Sequence, residues 1–197
     1  MSHIEMISDY LKEGLKIDLD RRIVNTIDRN AAIVCYPSKS IILSEGERAS
    51  NLYFILHGIV RGYYVDQQGN DVTKCFSSEH EFFSSEGIRT GNAASFSIEC
   101  LEECQCIKLP YSLVLEVIEK DRRLRTLFYS LYLQEVEKLE RRAKNLIVMC
   151  AEERYHDFCK YYPQLTNRVD LQHIASYIGI RAPSLSRIRR TIKNISD

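Results

Sequence analysis

The spacing of apolar residues changes period twice along this chain, from helical to strand-like near residue 33 and back to helical near residue 111. Ile4, Ile7, Leu11 and Leu15 repeat at helical intervals, and after the break "IDLD" the pattern resumes with Ile23, Val24 and Ile27, which predicts helix from residue 1 to about 30. From Ile33 to Leu109 the apolar runs are short and β-rich: "SIIL", "LYFIL", "IVRGYYV" and "VTKCF". Glu45-Gly46-Glu47, His57-Gly58 and "DQQGND" separate them as turn signals, and many short strands in series predict a β-sandwich or roll. Gly46, Gly58 and Gly69 fall where the strands must reverse, so positive φ is expected there. "FFSSEGIRTGNAASFSIE" is the least strand-like piece and predicts a short helix and loop lining a pocket; the strand signal returns in "SFSIECLEECQCIKL" and ends at Pro110.

Between Tyr111 and about Met149 the pattern predicts one long helix or two abutting ones, with no glycine or proline to interrupt it. Leu124, Leu127, Phe128, Leu131, Val136, Leu139, Ala143 and Leu146 form a seam too long for one small domain to cover. A second copy of the helix is the expected cover, which makes the chain a homodimer; packing on its own β-roll alone is the competing expectation. "AEERYHDFCKYY" predicts a shorter helix ending at Pro163, and "QLTNRV" a loop or short strand.

The segment from residue 170 to 193 has the pattern of two short helices crossing steeply. Asp170 is placed to cap the first, Ile174, Ala175 and Ile178 line its inner face, and Gly179 is expected to end it in a left-handed conformation. Ile180 turns inward, and Leu185, Ile188 and Ile192 form the inner stripe of the second helix. Burying that stripe turns Pro183, Ser184, Arg187 and Arg190 outward, where a helix enters a DNA major groove. Arg187 suits guanine O6 and N7, whereas Arg189 and Lys193 suit phosphates.

Charge sharpens this reading. The total over 197 residues is zero, yet from residue 165 onward Arg168, Arg181, Arg187, Arg189, Arg190 and Lys193 oppose only Asp170 and Asp197, so a +4 end faces a polyanion and the rest carries −4. The apolar fraction of 45% suits one large or two modest domains, and with no long uncharged apolar run or leader-like N-terminus the expected location is the cytoplasm. Seven cysteines without Cys-x-x-Cys spacing are expected as free thiols, with Cys104 and Cys106 on one strand face acting as small apolar residues. The five histidines are scattered, and neither a nucleophile elbow nor a phosphate loop is present, so no catalytic residue, metal or cofactor is expected.

On "LSEGERASNLYFILHGIVRGYYVDQQGNDVTKCF" and "IASYIGIRAPSLSRIRR" the chain resembles, over nearly its full length, the cyclic-AMP receptor protein and fumarate-nitrate regulator (CRP/FNR) family. "AEERYHDFCKYYP" is similar to the joining helix of a shortened subgroup. The resemblance implies an α+β architecture: an N-terminal cyclic-nucleotide-binding-type β-roll (jelly roll), a long dimerisation helix and a C-terminal helix-turn-helix. The expected domains are 1–120, 121–149 and 150–197, and since only "NISD" follows the second helix, the family's terminal wing strands are expected to be missing. Nucleotide-binding members carry Gly-Glu, whose glutamate meets the ribose, and Arg-Ser, whose arginine meets the cyclic phosphate. Here the corresponding positions are Ser84-Ser85 and Ala94-Ser95, with Glu86 one place on. A phosphate desolvated without a cation costs on the order of several kcal/mol, so cyclic AMP is not the expected effector. Ser84, Ser85, Glu86 and Ser95 remain a candidate pocket for a less anionic effector, if one exists.

The expected function is therefore sequence-specific transcription regulation. The partners are double-stranded DNA bearing an imperfect palindrome and a second copy of the chain, with RNA polymerase a further candidate. The alternative is a ligand- or redox-sensing module that acts on a protein and keeps a vestigial helix-turn-helix; the outward arginines speak against it.

Overall fold

The computed structural model describes residues 6–196, with side chains described through Ile192. Ile4 of the first predicted helix lies outside these residues. The chain runs α1 (Ile7–Leu15), α2 (Arg21–Asn30), β1 (Ala32–Tyr36), β2 (Ile41–Leu43), β3 (Asn51–His57), β4 (Val60–Val65), β5 (Asp71–Ser77), β6 (Phe82–Phe83), α3 (Gly87–Thr90), β7 (Ser97–Cys100) and β8 (Cys104–Pro110). Then follow α4 (Tyr111–Lys120), α5 (Arg122–Val148), α6 (Ala151–Tyr161), α7 (Leu171–Tyr177) and α8 (Ala182–Ser196).

The strands form two four-stranded sheets, ordered β1-β8-β3-β6 and β2-β7-β4-β5. Strand alternation gives the first sheet two apolar faces. On one face Ile55, Cys104 and Cys106 meet Val60, Ile98 and Cys100 of the second sheet, and together with Phe83 and Phe96 they form the core of the roll. On the other face Phe54, Ile107 and Leu109 are covered by Leu11 of α1, Ile23 and Ile27 of α2 and Leu113 of α4. The N-terminal helices are thus held by the outward half of the β3 and β8 pattern.

Cys100, Cys104 and Cys106 have no exposed surface. Burial pushes the Cys106 thiol up to about 12, and a hydrogen bond with Cys104 together with burial raises Cys100 further. Both therefore keep their protons at neutral pH and pack as small apolar residues.

Several boundaries differ from the expectation. Phe82–Phe83, read from sequence as outside the strands, pair with Tyr53 and Phe54 as β6. The strand signal over residues 95–109 is broken at residues 101–103 into β7 and β8. Of the two options for residues 111–149 the chain adopts two helices. Asp121 is extended between them, and its carboxylate accepts from the backbone N–H of Arg123 at 2.7 Å and of Leu124 at 3.4 Å. Residues 163–169 are a run of turns that buries Leu165 and Val169.

By its contacts the chain divides into two compact units. One comprises residues up to Tyr64 with Cys75–Thr126; the other comprises the β4–β5 hairpin tip, Val65–Lys74, with residues from Leu127 onward. In the second unit Tyr155, Phe158, Tyr162, Leu165, Ile174, Tyr177 and Leu185 are buried together. Phe158, Tyr162 and Tyr177 pack ring against ring, with centroids 5.3–5.8 Å apart. Among the described residues no helix is long and apolar enough to cross a membrane.

Candidate nucleic-acid interface

The C-terminal helix pair is built by its turn. Gly179 has φ +72, Gly179 N–H donates to Ser176 O at 3.2 Å, and Ile180 N–H donates to Ala175 O at 2.9 Å, the paired bonds of a Schellman motif. A Cβ on Gly179 would sit 2.8 Å from Leu146 Cδ2, the tip of a partly exposed side chain that can turn aside, so it is the positive φ that calls for glycine here. Ile174 and Ala175 are buried, as the spacing predicts, and Ile180 is half-buried. Asp170 departs from expectation: it holds the position before α7, but its side chain makes no capping bond, and its carbonyl accepts from His173 and Ile174 instead.

In α8 Leu185 is fully buried, with Ile188 and Ile192 half-buried on the same stripe. The first amides of this helix to be bonded, at Ser184 and Leu185, donate to Arg181 O, which places Arg181 at the capping position with no side-chain acceptor to offer. Pro183 in the first turn lacks an N–H and leaves one donor fewer to satisfy. Arg181, Pro183, Arg187 and Arg190 are exposed, and no acid among the described residues pairs with the three arginines. Ser184, expected outward, is half-buried. Arg189 is also half-buried, close enough to Tyr155 to act on its phenol, and Lys193 has its side chain outside the described residues. Sequence reasoning passed over Ser186, which is exposed three residues after Pro183.

The candidate effector residues lie in the β-roll unit. Buried Ser85 accepts from Gly87 N–H at 3.1 Å and donates to Glu86 Oε2 at 3.2 Å, while Glu86 Oε1 accepts from Ser95 N–H at 3.2 Å. Ser84 turns away and donates to Asn51 O at 3.0 Å. Ala94 is buried, tied through its backbone to Gly46 and Glu47. Three of the four residues are thus brought together, and they bond to one another.

Residues 33–121 match the cyclic nucleotide-binding domain family. The chain is 21% identical over 170 residues to the "cAMP-activated global transcriptional regulator CRP" of Pasteurella multocida, covering 81% of each chain. It is 21% identical over 189 residues to the "Nitrogen fixation regulation protein FixK" of Azorhizobium caulinodans, covering 90% of this chain and 75% of that one. The solved structure of FixK2 from Bradyrhizobium japonicum has the same fold, with a TM-score of 0.76, 18% identity and coverage of 84% of this chain and 86% of that chain. With a cyclic nucleotide-binding domain over the β-roll, CRP and FixK as relatives along most of its length and the fold of FixK2, the chain is similar to the CRP/FNR family of transcription regulators.

Proposed function

We propose that this regulator is a homodimer that reads an imperfect palindrome with α8, Arg187 reading bases and Arg181 and Arg190 holding phosphates. The observation that carries the reading is the pairing of a buried Leu185 stripe with exposed, acid-free Arg187 and Arg190 on the opposite side of the helix and Arg181 exposed at its start. A solvated structural helix would gain from neighbouring acids; a row of bare guanidinium groups is favourable next to phosphates. Dimerisation is supported by α5, where Tyr129, Tyr132, Leu139 and Leu146 are exposed at intervals of three and seven, the seam of a two-stranded coil. Light scattering is expected to return twice the 22.9 kDa chain mass, and selection from random duplexes to yield inverted half-sites with centres about 34 Å apart. A monomer at all concentrations, or selection of unpaired half-sites, would overturn this reading.

Cyclic AMP is not the proposed effector. The Ser95 amide already carries the Glu86 carboxylate, and Ala94 supplies no cation, so an entering phosphate would meet a negative charge where it needs a positive one. Calorimetry with cyclic AMP and cyclic GMP is expected to show no saturable binding at micromolar concentrations. Saturable heats would show that Glu86 moves aside.

A further inference from the structure

Every one of the last carbonyls of α7 has a donor, and two of those donors come from outside the helix-turn-helix. Ala175 O and Ser176 O are taken by the turn itself, as above. Tyr177 O accepts from Arg142 Nε of α5 at 2.9 Å, and Ile178 O accepts from Arg154 Nε of α6 at 2.7 Å. Neither guanidinium stops there. Arg142 Nη2 donates to Thr73 O of β5 at 2.8 Å, and Arg154 Nη1 donates to Met149 O at the end of α5 at 2.7 Å. Ser176 joins the same strand edge from the other side: its hydroxyl accepts from Thr73 N–H at 2.8 Å and donates to Asp71 O at 3.3 Å. Thr73 is fully buried, and Arg142 also stacks over the Tyr177 ring at 4.6 Å.

We propose that Arg142 and Arg154 are positioning residues for DNA recognition. They fix the helix-turn-helix to α5, and Arg142 also ties it to the β4–β5 hairpin. This rests on the DNA-binding reading above. A guanidinium fork is planar and rigid, so one group holding two carbonyls fixes the angle between the elements that carry them, which a flexible ammonium cannot do. Both charges also lie at the negative end of α7, where cations are favourable. The clamped carbonyls immediately precede Gly179, the turn that aims α8. In the proposed dimer the seam is on α5, so the angle of α7 to α5 sets the separation of the two recognition helices. Both strands of the hairpin continue into the β-roll, so a change in strand β5 reaches the turn through Thr73 and Arg142.

The test compares wild type with Arg142→Gln, Arg154→Gln and Ser176→Ala, each checked for an intact fold by circular dichroism. Half-site base preference, read by selection, is expected to be unchanged. The penalty for adding or removing one base pair between half-sites is expected to shrink by about fivefold or more in the arginine variants. An unchanged spacing penalty in folded variants, or an altered base preference, overturns the proposal. Amide hydrogen exchange, read without DNA, tests the link by itself: Arg142→Gln should speed exchange at Thr73 and at Gly179–Ile180 together, and acceleration at one end alone overturns the tie to the hairpin. A wild type that selects no duplex overturns the DNA reading, while the exchange result still decides the link. Should Arg142→Gln fail to fold, Arg142→Lys keeps the charge, loses the fork and makes the same comparison.

Discussion

Arg187→Ala is expected to lower affinity for the selected operator by about 1–3 kcal/mol per half-site, roughly twice that for a dimer on two half-sites, and to flatten preference at one base pair. The size follows from the contact that would be lost. Arg187 is exposed one turn after Pro183, with no acid among the described residues to hold it, so its fork is available to two acceptors on one guanine edge. Its loss should leave folding unchanged, because the stripe that packs α8 is Leu185, Ile188 and Ile192. Arg181→Thr makes the contrast. Arg181 occupies the capping position of α8 by its carbonyl, and its positive charge beside the positive helix end is mildly unfavourable until a phosphate lies between them. A threonine hydroxyl can accept from the Ser184 N–H, so stability should hold or rise by up to about 1 kcal/mol. Binding to all sequences should weaken alike, with the salt slope falling by about one unit or less. Fluorescence anisotropy against matched and mismatched duplexes at several salt concentrations separates the two. An even loss across sequences for Arg187→Ala, or a changed base preference for Arg181→Thr, would show the assignments reversed.

In the β-roll, Gly58→Ala should be the most damaging of the conservative turn substitutions, at about 2–5 kcal/mol, the sum of backbone strain and overpacking. Gly58 has φ +105, and a Cβ there would lie 2.6 Å from both Glu103 O and Cys104 Sγ and 2.9 Å from Cys104 Cα. Two of those three atoms are backbone, and the third belongs to a side chain with no exposed surface, so none can give way without shifting the β7–β8 turn. Gly46→Ala is the control. It has a similar φ of +86 but nothing within 4 Å, so it should cost only the left-handed conformation, about 1–2 kcal/mol. Urea unfolding of the two variants measures the difference. Equal losses would mean that strain alone matters at Gly58 and that the turn is softer than its contacts imply.

Features of this protein that depend on neighbours a few residues apart are legible in its amino-acid sequence. The reversals at Gly46, Gly58 and Gly69 are of this kind, since positive φ is a property of one residue. So is the helix pair: Ala175, Gly179 and Leu185 specify a close crossing, a left-handed stop and an anchor within eleven positions, and the outward face of α8 follows from the inward one. The family resemblance followed from the same local patterns.

What tertiary structure alone decided involves partners distant in the chain. Strand β6 is two residues long and exists because Tyr53 and Phe54 pair with it, so no local period announces it. Asp170 has the right residue type for a cap, yet its side chain is not used, because propensity describes an average and not the rotamer a site adopts. Glu86 offered a plausible ligand contact from sequence, but folding brings Ser95, nine residues away, onto its carboxylate. The clamp on α7 is the extreme case: Arg142 meets carbonyls 35 and 69 residues away, Arg154 meets one 24 residues away, and Ser176 bonds a strand more than 100 positions earlier. An arginine on a helix reads in sequence as a solvated charge, and only the fold shows that each of these two guanidinium groups donates to two backbone carbonyls.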